Sequence, residues 1–137
     1  MDCDYCNGGP LMDRYYIKIQ ELDNSTLYLF REQSHRGRCM VCSKLHVDEI
    51  ADMTEEQCRS FMRDVQRAAK ALHAAFHPDR VNYGAYNDAG HHAHFHLVPK
   101  YKDDSFEWSS VFAMEPGRVY LSEEEYHQIA ESIRKNL

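Results

Sequence analysis

The chain has 137 residues, 43% of them hydrophobic, and a formal net charge of −6. That is the length of one ordinary domain, long enough to bury about two thirds of its unfolded surface without disulfide staples. The acidic balance argues against a broad nucleic-acid surface, which is normally basic, and no stretch approaches the roughly 18 apolar residues that span a bilayer.

The N-terminus, Met-Asp-Cys-Asp-Tyr-Cys, is acidic and polar, unlike a secretory signal. The expectation is a single domain over residues 1–137 in the cytoplasm, with no membrane or nucleic-acid partner. Its five cysteines are then thiols or metal ligands rather than disulfides. Residues 1–13 read as a loop, with Asn7-Gly8-Gly9-Pro10 as the turn signal. Within it, Cys3-x-x-Cys6 is a good zinc half-site, since thiolates two residues apart can face one ion.

Residues 15–19 and 25–31 are rich in aromatic and β-branched side chains, and Asp23-Asn24 separates them; they read as two antiparallel strands. Residues 37–44 form a third. His35, Arg36 and Arg38 make a small basic cluster beside Gly37, able to meet phosphate but ordinarily a solvated turn. Cys39-x-x-Cys42 is a second paired-cysteine motif. In a strand, positions three apart point to opposite faces, so one of these two should be core.

Thr54 with Gln57 fits a helix capping box. Cys58, Phe61, Met62, Val65, Ala68, Ala69, Leu72 and Phe76 then keep helical spacing up to His77-Pro78, where the helix should stop. His73 and His77, four apart, read as solvent-facing. Residues 80–86 are a fourth strand and 92–101 a fifth. Segment 102–118 has little pattern; its Trp108 is a candidate to close over a base or a sugar, or to make a core or dimer contact. Ser122 and Glu125 form another capping box, opening a helix with Tyr126, Ile129, Ala130 and Ile133 on one face. The fold class is α+β: a mostly antiparallel five-stranded sheet, one long helix and a C-terminal helix, with the sheet covered on one face.

The most informative run is His92-Ala93-His94-Phe95-His96-Leu97-Val98. In a strand, His92, His94 and His96 share one face about 6.6–7 Å apart, and Ala93, Phe95 and Leu97 point into a core. Imidazole is the common acid–base, metal-ligating and nucleophilic group near neutral pH. That spacing is too long for all three to hold one tetrahedral zinc, whose Zn–N bonds are about 2.0–2.1 Å.

This run resembles the signature of the histidine-triad family of nucleotide hydrolases and transferases. The order of the other features is similar to its zinc-bearing branch: an early Cys-x-x-Cys, two strands, a Gly-led strand ending in Lys44-Leu45-His46, a long helix, an Asn-bearing strand and the triad. The resemblance covers roughly residues 1–101. It implies that His94 is the nucleophile toward a nucleoside α-phosphate and forms a covalent nucleotidyl-histidine that water releases. A different acceptor would make the enzyme a transferase. It implies that His96 donates to phosphate or leaving-group oxygens, and that Asn87, or failing it Asn82, holds the phosphate. It also implies a homodimer, and a structural zinc held by Cys3, Cys6, His46 and His92. An all-cysteine set with Cys39 and Cys42 is the rival metal site. Two positions depart from the family pattern. Asp88-Ala89-Gly90-His91 is shorter than the usual loop before the triad and lacks its hydroxyl. Glu32 is the only carboxylate where the family places an Asp for the ribose. The rival function is a non-catalytic nucleotide-binding or zinc-stabilised interaction module.

Overall fold

A computed structural model describes residues 2–104 and 107–137. Five strands, β1 (Tyr16–Glu21), β2 (Ser25–Phe30), β3 (Cys39–Ser43), β4 (Arg80–Gly84) and β5 (His94–Lys100), form one sheet in the order β1-β2-β3-β5-β4. Every neighbouring pair is antiparallel. The α+β class and the five-stranded antiparallel sheet are as the sequence pattern predicts.

The long helix α3 (Glu55–Phe76) begins at its capping box. The Thr54 hydroxyl accepts from the Gln57 amide at 3.1 Å, and Gln57 Oε1 accepts from the Thr54 amide at 2.9 Å. It ends at His77, in the left-handed region at φ 51°, with Pro78 next. Its apolar stripe packs Phe61, Val65, Ala68, Ala69 and Leu72 onto Leu27, Leu29, Cys39, Val41 and Leu97 of the sheet. Helix α4 (Glu123–Arg134) adds Tyr126, Ile129, Ala130 and Ile133 to the same core. Met62 departs from the predicted stripe and is 37% exposed. Buried Asp64 lies on the packed face instead. Its carboxylate accepts from the Asn24 amide at 2.8 Å and the Ser25 hydroxyl at 2.7 Å, tying the helix to the β1–β2 turn.

Register sets the opposite face of the sheet. His94 lies across from Cys42, His96 from Met40 and Gly84, and Asn82 from Val98. A second small core of Met12, Tyr16, Phe30, Met40 and Cys42 packs on this side.

Three segments differ from the expected pattern. The stretch expected to be a loop over residues 1–13 is, from residue 2 on, mostly helical: α1 (Asp4–Asn7) and α2 (Pro10–Tyr15) occupy most of it. Proline at the first position pre-sets α2, and Gly8 and Gly9 at φ 71° and 118° supply the break before it. The triad strand starts at His94, so His92 and Ala93 precede the ladder. His92 lies in a bend, and Ala93 is held by backbone bonds to Ser43 and Val47. Segment 107–121, which overlaps the stretch 102–118 of little sequence pattern, crosses the triad face as a strap fixed by polar anchors. Lys100 donates to the Glu107 and Ser110 carbonyls at 2.6 and 2.9 Å. Glu107 accepts from the Ala113 amide, and Glu32 from the Arg118 and Val119 amides at 2.7 and 3.1 Å. Among the described residues, no helix is long and apolar enough to cross a membrane.

Candidate functional site

His94 sits at the centre of the triad face and is 4% exposed. Its Nδ1 lies 2.7 Å from the His92 carbonyl. A carbonyl only accepts, so Nδ1 carries the proton, and Nε2 keeps its lone pair in the neutral ring. Burial holds the basicity of His94 below the usual imidazole range, with the carbonyl bond opposing. The Tyr5 ring stacks on His94 at 5.0 Å and 20°, and on His92 at 5.6 Å and 24°. One hydrogen bond and one stacked face thus fix the orientation of the His94 ring. Nothing in the sequence links residue 5 to residue 94; the only signal was an aromatic inside the Cys-x-x-Cys loop.

His96 lies edge-on to His94, with ring centroids 5.3 Å apart. Burial first, then the Arg38 charge and His94, push its pKa down to about 3. It is therefore neutral at physiological pH, and its buried Nδ1 has no hydrogen-bond partner among the described residues.

His92, which also meets the Tyr5 ring, has a separate set of polar partners. Its Nε2 lies 2.6 Å from the Ser43 carbonyl, which fixes the tautomer and leaves Nδ1 free as a ligand. That Nδ1 is 3.5 Å from Cys3 Sγ, 3.4 Å from Cys6 Sγ and 3.3 Å from His46 Nδ1, and Cys6 Sγ is 3.3 Å from His46 Nδ1. The four donor atoms lie within 4.8 Å of one another and are able to hold a metal ion. Tetrahedral zinc with bonds of about 2.0–2.3 Å has ligand–ligand edges of roughly 3.3–3.8 Å, so the spacing and the two-thiol, two-imidazole chemistry fit that ion. The all-cysteine set does not form. Cys39 is buried in the helix-side core, and Cys42, although it packs on the triad face, is not one of the four.

Asn87 follows β4, and its buried Oδ1 has no hydrogen-bond partner among the described residues. Asn82 lies further along the triad face. It lines a cavity of about 750 Å³ walled by Tyr83, Tyr86, Trp108 and Phe112. Trp108 therefore borders a cavity rather than the core. The basic cluster splits: Arg36 is exposed over Phe76, buried His35 bonds Glu107 at 3.0 Å, and Arg38 is fully buried. A solvated turn describes only Arg36. Glu32 is buried and committed to the Ser34, Arg118 and Val119 amides, so it is not free for a ribose. His73, His77 and His91 are exposed.

The HIT-domain family model matches residues 14–103. The chain belongs to that family, the histidine-triad proteins, whose members are commonly nucleotide-binding hydrolases and transferases. "Protein hit" of Bacillus subtilis (strain 168) is 27% identical over 97 residues, covering 65% of this chain and 66% of that protein. A histidine triad protein of Sinorhizobium meliloti 1021 superposes with a TM-score of 0.84 at 19% identity, over 93% of each chain. A zinc-bound histidine triad family protein of Mycobacterium smegmatis superposes at 0.70 and 23% identity, over 99% of this chain and 93% of that one.

Proposed function

We propose that the protein is a nucleotide hydrolase or nucleotidyl transferase acting at a nucleoside α-phosphate, on a dinucleoside polyphosphate, a nucleoside phosphoramidate or a similar compound. The observation that carries this reading is the His94 ring, with Nδ1 committed to the His92 carbonyl and Nε2 left as a lone-pair nucleophile. In the first displacement, the Nε2–P bond forms as the bond from phosphorus to the leaving atom breaks, and the leaving group departs with the electron pair. In the second, a water oxygen or another acceptor replaces the nitrogen, and its proton passes to solvent. Neutral His96 supplies a hydrogen bond to an oxygen on which charge builds. Asn87, whose buried oxygen has no hydrogen-bond partner among the described residues, holds the phosphate or leaving group, and Asn82 extends that contact along the cavity.

Cys3, Cys6, His46 and His92 would hold zinc, and the zinc-bound relative supports that assignment. Bound there, zinc would crosslink the N-terminal segment to the triad strand through these four side chains, a structural role. It pins α1, and with it Tyr5, against the triad. The protein is proposed to act in the cytoplasm as a homodimer, and β4 is an open sheet edge.

Incubation with labelled adenylyl and guanylyl substrates tests the reading. Wild type should turn over at least one of them and yield an acid-labile adduct on His94, and His94→Gly should lose about three orders of magnitude or more in rate. Equal turnover in both proteins would remove His94 as nucleophile. The short loop 88–91, without the usual hydroxyl, favours a second reading, a nucleotide-binding module. Unchanged nucleotide affinity with no turnover on any substrate would select it.

A further inference from the structure

Arg38 is the largest fully buried side chain among the described residues. Its Nη1 and Nη2 donate to the Ala113 and Met114 carbonyls, each at 3.0 Å. The guanidinium carbon lies 4.1 Å from the Phe30 ring centroid and 5.0 Å from that of Phe112. No carboxylate among the described residues comes within 4.0 Å of it. Its buried Nε has no hydrogen-bond partner among them either. Glu32, Glu107 and Glu115 act on it only at longer range, and Glu32 and Glu107 are already bonded to backbone amides. Burial pulls its pKa down to about 10, which leaves it charged at neutral pH.

A buried cation without a counter-charge is costly, because aromatic faces and carbonyl dipoles only partly replace its hydration. Anchoring the strap does not account for that cost, since Glu32, Lys100 and Glu107 hold it independently. Position supplies a better account. The Phe30 amide donates to the Arg38 carbonyl, extending the β2–β3 ladder by one pair. Arg38 therefore shares a face with Met40, two residues on, and Met40 lies opposite His96. Phe112 spans the two, with its ring 6.4 Å from that of His96. Two buried nitrogens without hydrogen-bond partners among the described residues, Arg38 Nε and His96 Nδ1, are thus gathered under one aromatic ring beside the nucleophile.

We infer that the missing counter-charge is the substrate's own phosphoryl group, its non-bridging oxygens shared between Arg38 and His96 while His94 attacks the phosphorus. This rests on the proposed function and adds a residue to it. As the nitrogen–phosphorus bond forms and the leaving group departs, charge grows on those oxygens. A permanent buried cation stabilises it without a proton transfer.

The test is thermal denaturation and isothermal titration of wild type, Arg38→Met and Arg38→Gln with inorganic phosphate and with adenosine monophosphate. Chloride at matched ionic strength is the control. Both anions should raise the wild-type midpoint, and both variants should bind them at least tenfold more weakly. Without anion, Arg38→Met should melt at or above the wild-type midpoint, because an unneutralised buried charge is gone. Should Arg38→Met fail to fold, Arg38→Gln decides, since it keeps a donor for the strap carbonyls but carries no charge.

Wild-type anion affinity in either folded variant would overturn the inference, as would the absence of any anion response in wild type. Activity separates this inference from the reading it rests on. Arg38-dependent anion binding with turnover indifferent to His94 sinks the mechanism and spares the anion site. His94-dependent turnover that both Arg38 variants retain sinks only the anion site.

Discussion

The two faces of the sheet are stabilised by different physics. On the helix side, Leu27, Leu29, Val41 and Leu97 meet Phe61, Val65, Ala68 and Leu72 in an apolar layer, and stability there follows area removed from water. On the triad side, His94, His96, Arg38, Lys100 and Glu32 are all buried. Each of these except Arg38 and His96 has its buried polar atoms paired among the described residues, and the strap over them is tied by hydrogen bonds together with the buried Phe112 ring. One face stores stability. The other holds charge and lone pairs out of water at a cost that the first face offsets, and this is where chemistry is to be expected.

The largest change should come from breaking the apolar side. Phe61→Ala empties the space between α3 and Phe95 and should lose about 3–5 kcal/mol in urea denaturation. A loss below about 1 kcal/mol would mean that the helix-side layer does not dominate. Next is the metal quartet on the polar side. Chelation, or Cys3→Ser, should remove about one zinc per chain by elemental analysis. At free zinc 100 times its dissociation constant, that loss corresponds to about 2.7 kcal/mol. Phe61→Ala should leave the zinc content unchanged.

Acid should act through the polar face. The pKa of His96 is lowered in the fold by burial first, then by Arg38 and His94, from about 6.5 when unfolded. Below that value the unfolded chain takes up a proton that the folded chain refuses. Stability therefore falls as pH drops from about 6.5 toward 3, by about 1.4 kcal/mol per pH unit for this one group. His96→Phe should flatten that slope by one proton, measured as denaturation free energy against pH; an unchanged slope would show that His96 titrates normally. The smallest effect belongs to the helix cap. Thr54→Ala should cost about 1 kcal/mol in denaturation midpoint analysis with anion binding unaltered, since Thr54 touches only the start of α3.

The helix side was legible before any coordinates. The capping box at Thr54, the three-and-four spacing through Phe76 and the stop at His77-Pro78 delimit α3 to the residue, because each signal is a contact within one helical turn. The period-two run at 92–96 likewise marked the triad. His46 entered the metal set only through likeness to a family, and the coordinates bring it beside Cys6 and His92. The short helices before β1 were missed because propensity is weak over four to six residues. The role of Glu32 is not legible locally, because the Arg118 and Val119 amides that it binds lie more than 80 residues away.

Local order along the chain was enough for the five strands, the two longer helices, the sheet class and the three histidines, since periodicity and caps act between residues a few positions apart. The tertiary fold alone decided that Tyr5 lies on His94, that Arg38 is sealed beneath Phe112, and that the strap finds its anchors on Lys100 and Glu32. Those partners are separated by 7 to 89 positions and meet only when strand register sets which side chains share a face. A burial cost and a missing counter-charge exist only once water has been excluded.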